Sequence, residues 1–156
     1  MQKTASAEDS APSVLVVDDD PDLVDVLSRF LSRQGMKTSV ASSGVQCLEI
    51  MQAAPAIDVI VLDIMMPGMD GLQVCAALKK MESARAIPII LLTARDDVTT
   101  RLAGVELGVS EFIVKPASGR DLVSRIQTQV EASRKARAME QSLDSPAIIP
   151  KPFHKS

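Results

Sequence analysis

Asp18, Asp19, Asp63, Thr93 and Lys115 are the residues of this 156-residue chain whose types and spacing could do chemistry together. Each stands where a short apolar run stops. Val14-Leu15-Val16-Val17 runs into Asp18-Asp19-Asp20, Val59-Ile60-Val61-Leu62 into Asp63, Ile89-Ile90-Leu91-Leu92 into Thr93, and Phe112-Ile113-Val114 into Lys115. Such runs mark strands buried on both faces of a parallel sheet. In an open α/β sheet, ligands bind in the crevice outside the carboxyl ends of the strands. Three carboxylates converging there repel one another unless a cation neutralises them. A hard divalent ion with oxygen ligands, Mg²⁺ above all, suits that set. Lys115 adds a point charge able to pair with a carboxylate or a phosphoryl oxygen. Thr93 adds a short hydroxyl donor. Phosphoryl transfer needs in-line positioning and neutralised equatorial oxygens more than it needs an acid or a base. The reading is that Asp63 accepts a phosphoryl group.

Each residue alone has an ordinary explanation. Asp18-Asp19-Asp20 could be acids gathered at a helix N-terminus, Thr93 a loop hydroxyl, and Lys115 a plain strand end. It is their joint placement on four strand ends, in this order, that points to a site.

The elements that must position these residues can be read from periodicity. After the first strand, Asp20 and Pro21 form a helix start signal. Leu23, Val26, Leu27, Phe30 and Leu31 then recur at helical spacing, and Gly35 closes the helix. Lys37 to Ala41 is a short second strand. Ser43 caps a second helix through Val45, Leu48, Ile50 and Met51, which ends near Pro55. The third strand runs from about Asp58 into Asp63, and a loop with Pro67 and Gly68 leads to a helix start at Asp70-Gly71. Leu72, Val74, Cys75, Leu78 and Met81 make the third helix. A fourth strand begins around Ile87-Pro88. Asp96 or Asp97 caps a fourth helix through Val98, Leu102 and Val105, with Gly108 as its stop. Ser118 and Asp121 stand in capping-box register before a fifth helix through Leu122, Ile126 and Val130. Five alternations of strand and helix imply a parallel sheet with helices on both faces.

Bulk composition narrows the function classes. Apolar residues make up 46 % of the chain, enough for a core filled by aliphatic side chains, since Trp and Tyr are absent and Phe occurs three times. A net charge of −3 gives no broad electrostatic reason to expect nucleic-acid contact. No apolar run approaches the roughly 20 residues of a membrane span. The polar lead, residues 1–12, has no apolar core of the secretory kind and is expected to be flexible. Cys47 and Cys75 are isolated, as buried thiols in a reducing cytoplasm would be. From about Ala132 the pattern changes: Arg134, Lys135 and Arg137 form a basic cluster, and residues 144–156 hold three Pro. The expected division is a lead over 1–12, a domain over 13–131, and a helix extension with a Pro-containing tail over 132–156.

Four segments carry a resemblance to a known family. Val16-Val17-Asp18-Asp19-Asp20-Pro21, Leu62-Asp63-Ile64-Met65-Met66-Pro67-Gly68-Met69-Asp70-Gly71, Leu92-Thr93-Ala94 and Val114-Lys115-Pro116 together resemble the receiver domain of bacterial two-component response regulators, of the chemotaxis-regulator-like kind. The resemblance covers about Ser13 to Val130. It implies a flavodoxin-like, doubly wound five-stranded parallel sheet of strand order 2-1-3-4-5. It implies that Asp63 is the phosphoacceptor, charged by a sensor histidine kinase or a phosphotransfer protein. Asp19 and Asp63 would hold Mg²⁺, Asp18 would act through water, and the Met65 backbone carbonyl would be a further ligand. Thr93 would bond a phosphoryl oxygen and Lys115 would pair with it. Phe112 falls at the switch-aromatic position, where inward rotation repacks the face formed by the fourth helix, fifth strand and fifth helix. Phe lacks the hydroxyl of the commoner Tyr. Met65 and Arg95 occupy the two positions that tune phosphoryl lifetime. The family usually has an aromatic after Lys-Pro, whereas Ala117 stands here. Lys151-Pro152-Phe153 imitates that motif, but Pro150 rather than a strand precedes it.

The implied product is a cytoplasmic switch that changes its affinity for a downstream protein, not an enzyme beyond slow self-dephosphorylation. Two rivals are weighed. A phosphatase working through an aspartyl-phosphate would want a second Asp two residues after Asp63, where Met65 stands. A receiver-like interaction module that never accepts phosphate would have no need of the complete Asp18, Asp19, Asp63, Thr93 and Lys115 set. About 26 residues follow Val130, few for a DNA-binding or catalytic domain. The chain is therefore expected to be a single-domain regulator or a piece of a longer one, with the basic helix extension as a linker or a phosphorylation-dependent dimer contact.

Overall fold

Val14 to Val17, Val59 to Leu62 and Ile89 to Leu92 are buried along their whole length, which only a strand covered on both faces can achieve. In the computed structural model, which describes residues 11–53, 55–94 and 97–144, these runs form the centre of a five-stranded sheet. The order along the chain is β1 (Ser13–Val17), α1 (Pro21–Arg33), β2 (Lys37–Ala41), α2 (Gly44–Gln52), β3 (Val59–Asp63), α3 (Gly71–Lys79), β4 (Ile89–Thr93), α4 (Val98–Glu106), β5 (Glu111–Val114) and α5 (Gly119–Asp144). All pairings are parallel, in the spatial order β2-β1-β3-β4-β5. The expected doubly wound topology is what forms. Residues 1–10, Ala54, Arg95, Asp96 and the tail from 145 lie outside the described residues.

Alternation along the strands divides the core in two. Leu15, Val17, Ile60, Leu62, Ile89 and Leu91 face Cys47 and Met51 of α2 and Val74, Cys75 and Leu78 of α3. Val14, Val16, Val59, Val61, Ile90, Leu92 and Ile113 face Leu31 of α1 and Leu122, Ile126 and Val130 of α5. The helix starts are capped as their sequences require. Asp20, Ser43, Asp70 and Asp97 accept backbone N–H bonds at α1 to α4, and Ser118 Oγ accepts from Asp121 N at 3.0 Å.

Helical spacing picked out stripes of large apolar residues, and on α4 that stripe points outward. Val98, Leu102 and Val105 are 72 %, 57 % and 70 % exposed. Val26 of α1 and Val45 of α2 are likewise exposed. On α4 the inward positions are small or polar. Thr100 and Gly104 are buried, and a Cβ on Gly104 would lie 3.3 Å from Leu91 Cδ1. The helix therefore lies too close to the sheet for a large side chain on that side.

α5 continues as one helix past Ala132 to Asp144. Its basic residues turn back on the domain. Arg134 Nη2 lies 3.0 Å from Asp58 Oδ2, and Arg137 Nη2 lies 3.6 Å from Asp58 Oδ1. Asp58 Oδ2 also accepts the Ser13 backbone N–H at 2.9 Å. Arg134 and Arg137 thus have a partner within their own domain, at the end of the sheet opposite Asp63.

Candidate functional site

The site lies where β1, β3, β4 and β5 all end on one edge. β1 delivers Asp18, whose backbone N–H donates to Ala41 O at 3.2 Å and so stays in line with the sheet. Asp18 is buried, and its Oδ1 accepts the Asp20 N–H at 3.0 Å, leaving Oδ2 turned toward the centre of the edge. Asp19 is exposed beside it. β3 delivers Asp63, buried and opposite Leu92 of β4. Thr93 follows Leu92 and is fully buried. Lys115 comes from the end of β5, where its N–H donates to Thr93 O at 2.7 Å.

These side chains meet. Carboxylate oxygens of Asp18, Asp19 and Asp63 lie within 4.8 Å of one another. Lys115 Nζ stands 3.3 Å from Asp18 Oδ2 and 3.0 Å from Asp63 Oδ1. Asp63 Oδ1 is itself buried, and among the described residues the Lys115 ammonium, 3.0 Å away, is its partner, as a charge and as an imperfectly aligned donor. Burial raises the Asp63 carboxyl above the ordinary carboxylate range, and the charges of Asp18 and Asp19 push the same way against Lys115. Burial alone would lower the Lys115 ammonium. Asp63 and Asp18 outweigh it and hold the group above its usual value.

The donor set is three carboxylates, all oxygen, two of them buried and one carrying an oxygen that the protein leaves poorly bonded. Such a set fits a hard divalent cation and offers a soft metal nothing. Asp18, Asp19 and Asp63 are the residues that would hold Mg²⁺.

Phe112 of β5 lies opposite Leu91, half-buried, with the Arg101 guanidinium 4.7 Å from its ring centroid. The Met65 side chain is 52 % exposed in the loop after Asp63. Arg95 lies outside the described residues.

Gly71 was read only as a helix start, and its second role escaped the sequence. A Cβ there would come within 2.7 Å of Ile64 Cα and closer still to the Asp63 carbonyl oxygen. Its N–H donates to Ile64 O at 2.9 Å. The first turn of α3, fixed by the reciprocal Asp70–Gln73 cap, is thereby pressed against the backbone that carries Asp63. The available signal was a glycine just inside a helix start, where no left-handed turn calls for one.

Residues 14–127 match the response regulator receiver domain. The chain belongs to this family. This chain is 34 % identical over 143 residues to the transcriptional regulatory protein BaeR of Escherichia coli O6:H1, covering 91 % of this chain and 58 % of that protein. It is 37 % identical over 115 residues to the sensory transduction protein RegX3 of Mycobacterium tuberculosis, covering 74 % and 49 %. The chain thus spans about half the length of these curated relatives. Among solved structures, the chemotaxis response regulator CheY4 of Vibrio cholerae superposes on 77 % of this chain and 99 % of its own chain, with a TM-score of 0.71 and 27 % identity. Among the described residues, no helix is long and apolar enough to cross a membrane.

Proposed function

We propose that this receiver domain is a phosphorylation-controlled switch in which Asp63 is the acceptor. The observation that carries the reading is the meeting of three carboxylates within 4.8 Å, with Lys115 set against two of them. One Asp63 oxygen attacks phosphorus, the P–N bond of a donor phosphohistidine breaks, and the imidazole leaves with the electron pair. The donor is a sensor histidine kinase or a phosphotransfer protein. Lys115 pairs with one phosphoryl oxygen, and the Thr93 hydroxyl donates to another. Asp19, Asp63 and the Met65 backbone carbonyl would hold Mg²⁺, with Asp18 acting through water, and the ion would supply the positive charge that neutralises the phosphoryl oxygens. The buried walls around Asp63 limit water, and Met65 and Arg95 set how long the phosphoryl group survives.

The readout is a change in affinity for a downstream protein. Movement of Thr93 toward the phosphoryl group lets the Phe112 ring turn inward and alters the surface made by α4, β5 and α5. The exposed Val98, Leu102 and Val105 lie on that surface and supply it with apolar area. The chain acts in the cytoplasm without touching nucleic acid itself, as a receiver over 13–131 with a helix extension and tail over 132–156. Its own catalysis is limited to slow self-dephosphorylation.

Incubation with acetyl phosphate and Mg²⁺ tests the reading. The wild-type chain gains the mass of one phosphoryl group, and Asp63→Asn does not. A wild-type chain that gains no mass under those conditions is an inert module, and the proposal fails.

A further inference from the structure

An apolar cavity of about 450 Å³ opens beside Lys115, walled by Leu23 and Leu27 of α1, Leu92, Leu122 and the segment Pro116-Ala117. Ala117, with one methyl group, leaves its wall short. The surroundings are acidic. Asp18, Asp19, Asp20, Asp22 and Asp25 lie on or beside the turns that bear Leu23 and Leu27. Of the cations on the flanking elements, Lys115 is engaged by Asp18 and Asp63, Arg29 by Asp25 and Arg125 by Glu111 and Asp121, while Arg33 stands on the last turn of α1 and Arg120 on the first turn of α5. The cavity is therefore shaped for a bulky apolar group carried on a basic segment.

Residues 151–155 form such a segment, with an aromatic at its centre. Of its three Phe, Phe30 and Phe112 pack against the two cores. The third is Phe153, within Lys151-Pro152-Phe153-His154-Lys155. Reach decides whose Phe153 can enter. Leu122 and Asp144 are 22 residues apart on α5, about 33 Å of helix. The nine residues from Asp144 to Phe153 span at most about 32 Å fully extended. A chain filling its own cavity would need a tail drawn straight back along the helix with nothing left for the turn. A second copy has no such constraint, and reciprocal exchange between two copies closes as a twofold pair.

We propose that this cavity is a socket for Phe153 of a second copy of the chain, with Lys151 and Lys155 set against the acids of α1. The cavity borders the acceptor edge through Lys115, but the contact needs no phosphoryl group, so association and labelling are separate readouts and the two readings fail independently.

Disulfide trapping between full-length chains tests it. Cys47 and Cys75 are buried and do not compete. A mixture of Ala117→Cys and Phe153→Cys chains forms a crosslinked dimer roughly tenfold or more faster than a mixture of Phe153→Cys with Val105→Cys, a control exposed on α4. Equal rates overturn the proposal. So does a chain bearing both Ala117→Cys and Phe153→Cys that closes the bond only within itself. Sedimentation equilibrium provides a readout without any change in the socket. Phe153→Ala raises the dimer dissociation constant by roughly tenfold or more and still takes a phosphoryl group from acetyl phosphate. Unchanged association in Phe153→Ala, or a wild-type chain that stays monomeric at every concentration, refutes the socket.

Discussion

Lys115 Nζ lies 3.0 Å from Asp63 Oδ1 and 3.3 Å from Asp18 Oδ2, so one ammonium is shared by two buried carboxylates with Asp19 close by. Three negative charges against one positive is an unbalanced edge. The imbalance makes the domain sensitive to substitution and to divalent cations in ways that can be measured apart from any signalling activity.

Asp63→Asn removes one charge from that edge at almost constant shape. Burial and the neighbouring acids already disfavour the Asp63 carboxylate. In EDTA at neutral pH the variant is therefore more stable than the wild type, by about 1 kcal/mol. Denaturant melts check this. A less stable variant would show that Lys115 more than compensates the crowding.

Mg²⁺ raises the melting temperature of the wild type in proportion to site occupancy, because a ligand that binds only the folded state stabilises it by mass action. Asp19→Asn contributes one oxygen less charge to the set while leaving the buried pair with Lys115 intact. Its Mg²⁺-dependent shift is less than half that of the wild type at the same concentration. Equal shifts in both chains place the ion elsewhere.

Gly71→Ala forces a methyl group into the backbone of Asp63 and Ile64. Neither wall is a flexible side chain. The substitution costs about 1–3 kcal/mol in stability and slows labelling of Asp63 by acetyl phosphate. Wild-type stability together with wild-type labelling would mean that α3 can withdraw freely, and the positioning role would be lost.

Asp58 and Arg134 are tied across 76 residues of sequence. Arg134→Ala loses a partly exposed pair and costs about 0.5–1 kcal/mol. Asp58→Ala costs more, since it also strips the Ser13 N–H of its acceptor. A double-mutant cycle gives a coupling of about 0.5 kcal/mol or more. Strict additivity would reduce the contact to a surface accident.

The strands and the site were legible because each apolar run stops on a residue that an apolar run should avoid. Val59 to Leu62 ending on Asp63 marks both a buried strand and the strand end at which Asp18, Asp19 and Lys115 gather. Helix faces were less legible. On α4, Val98, Leu102 and Val105 form the stripe that periodicity detects, yet the sheet takes Gly104 because closeness there matters more than apolar area. The pairing of Asp58 with Arg134 and Arg137 could not be read, since no local pattern relates residues so far apart in sequence. Gly71 was visible and underread: the sequence shows where a glycine stands, but only the packed structure shows what it must avoid.

α5 begins four residues after Lys115 and is pinned near its middle by Asp58 holding Arg134. A straight helix held at such a point behaves as a lever. Ten residues, about 15 Å, lie beyond that fulcrum, so a tilt of about 5° there sweeps the far tip by roughly 1 Å. Whatever is joined to that tip is mechanically linked to the strand-end rim that bears Lys115 through the helix itself, which Asp58 holds at Arg134 and Arg137.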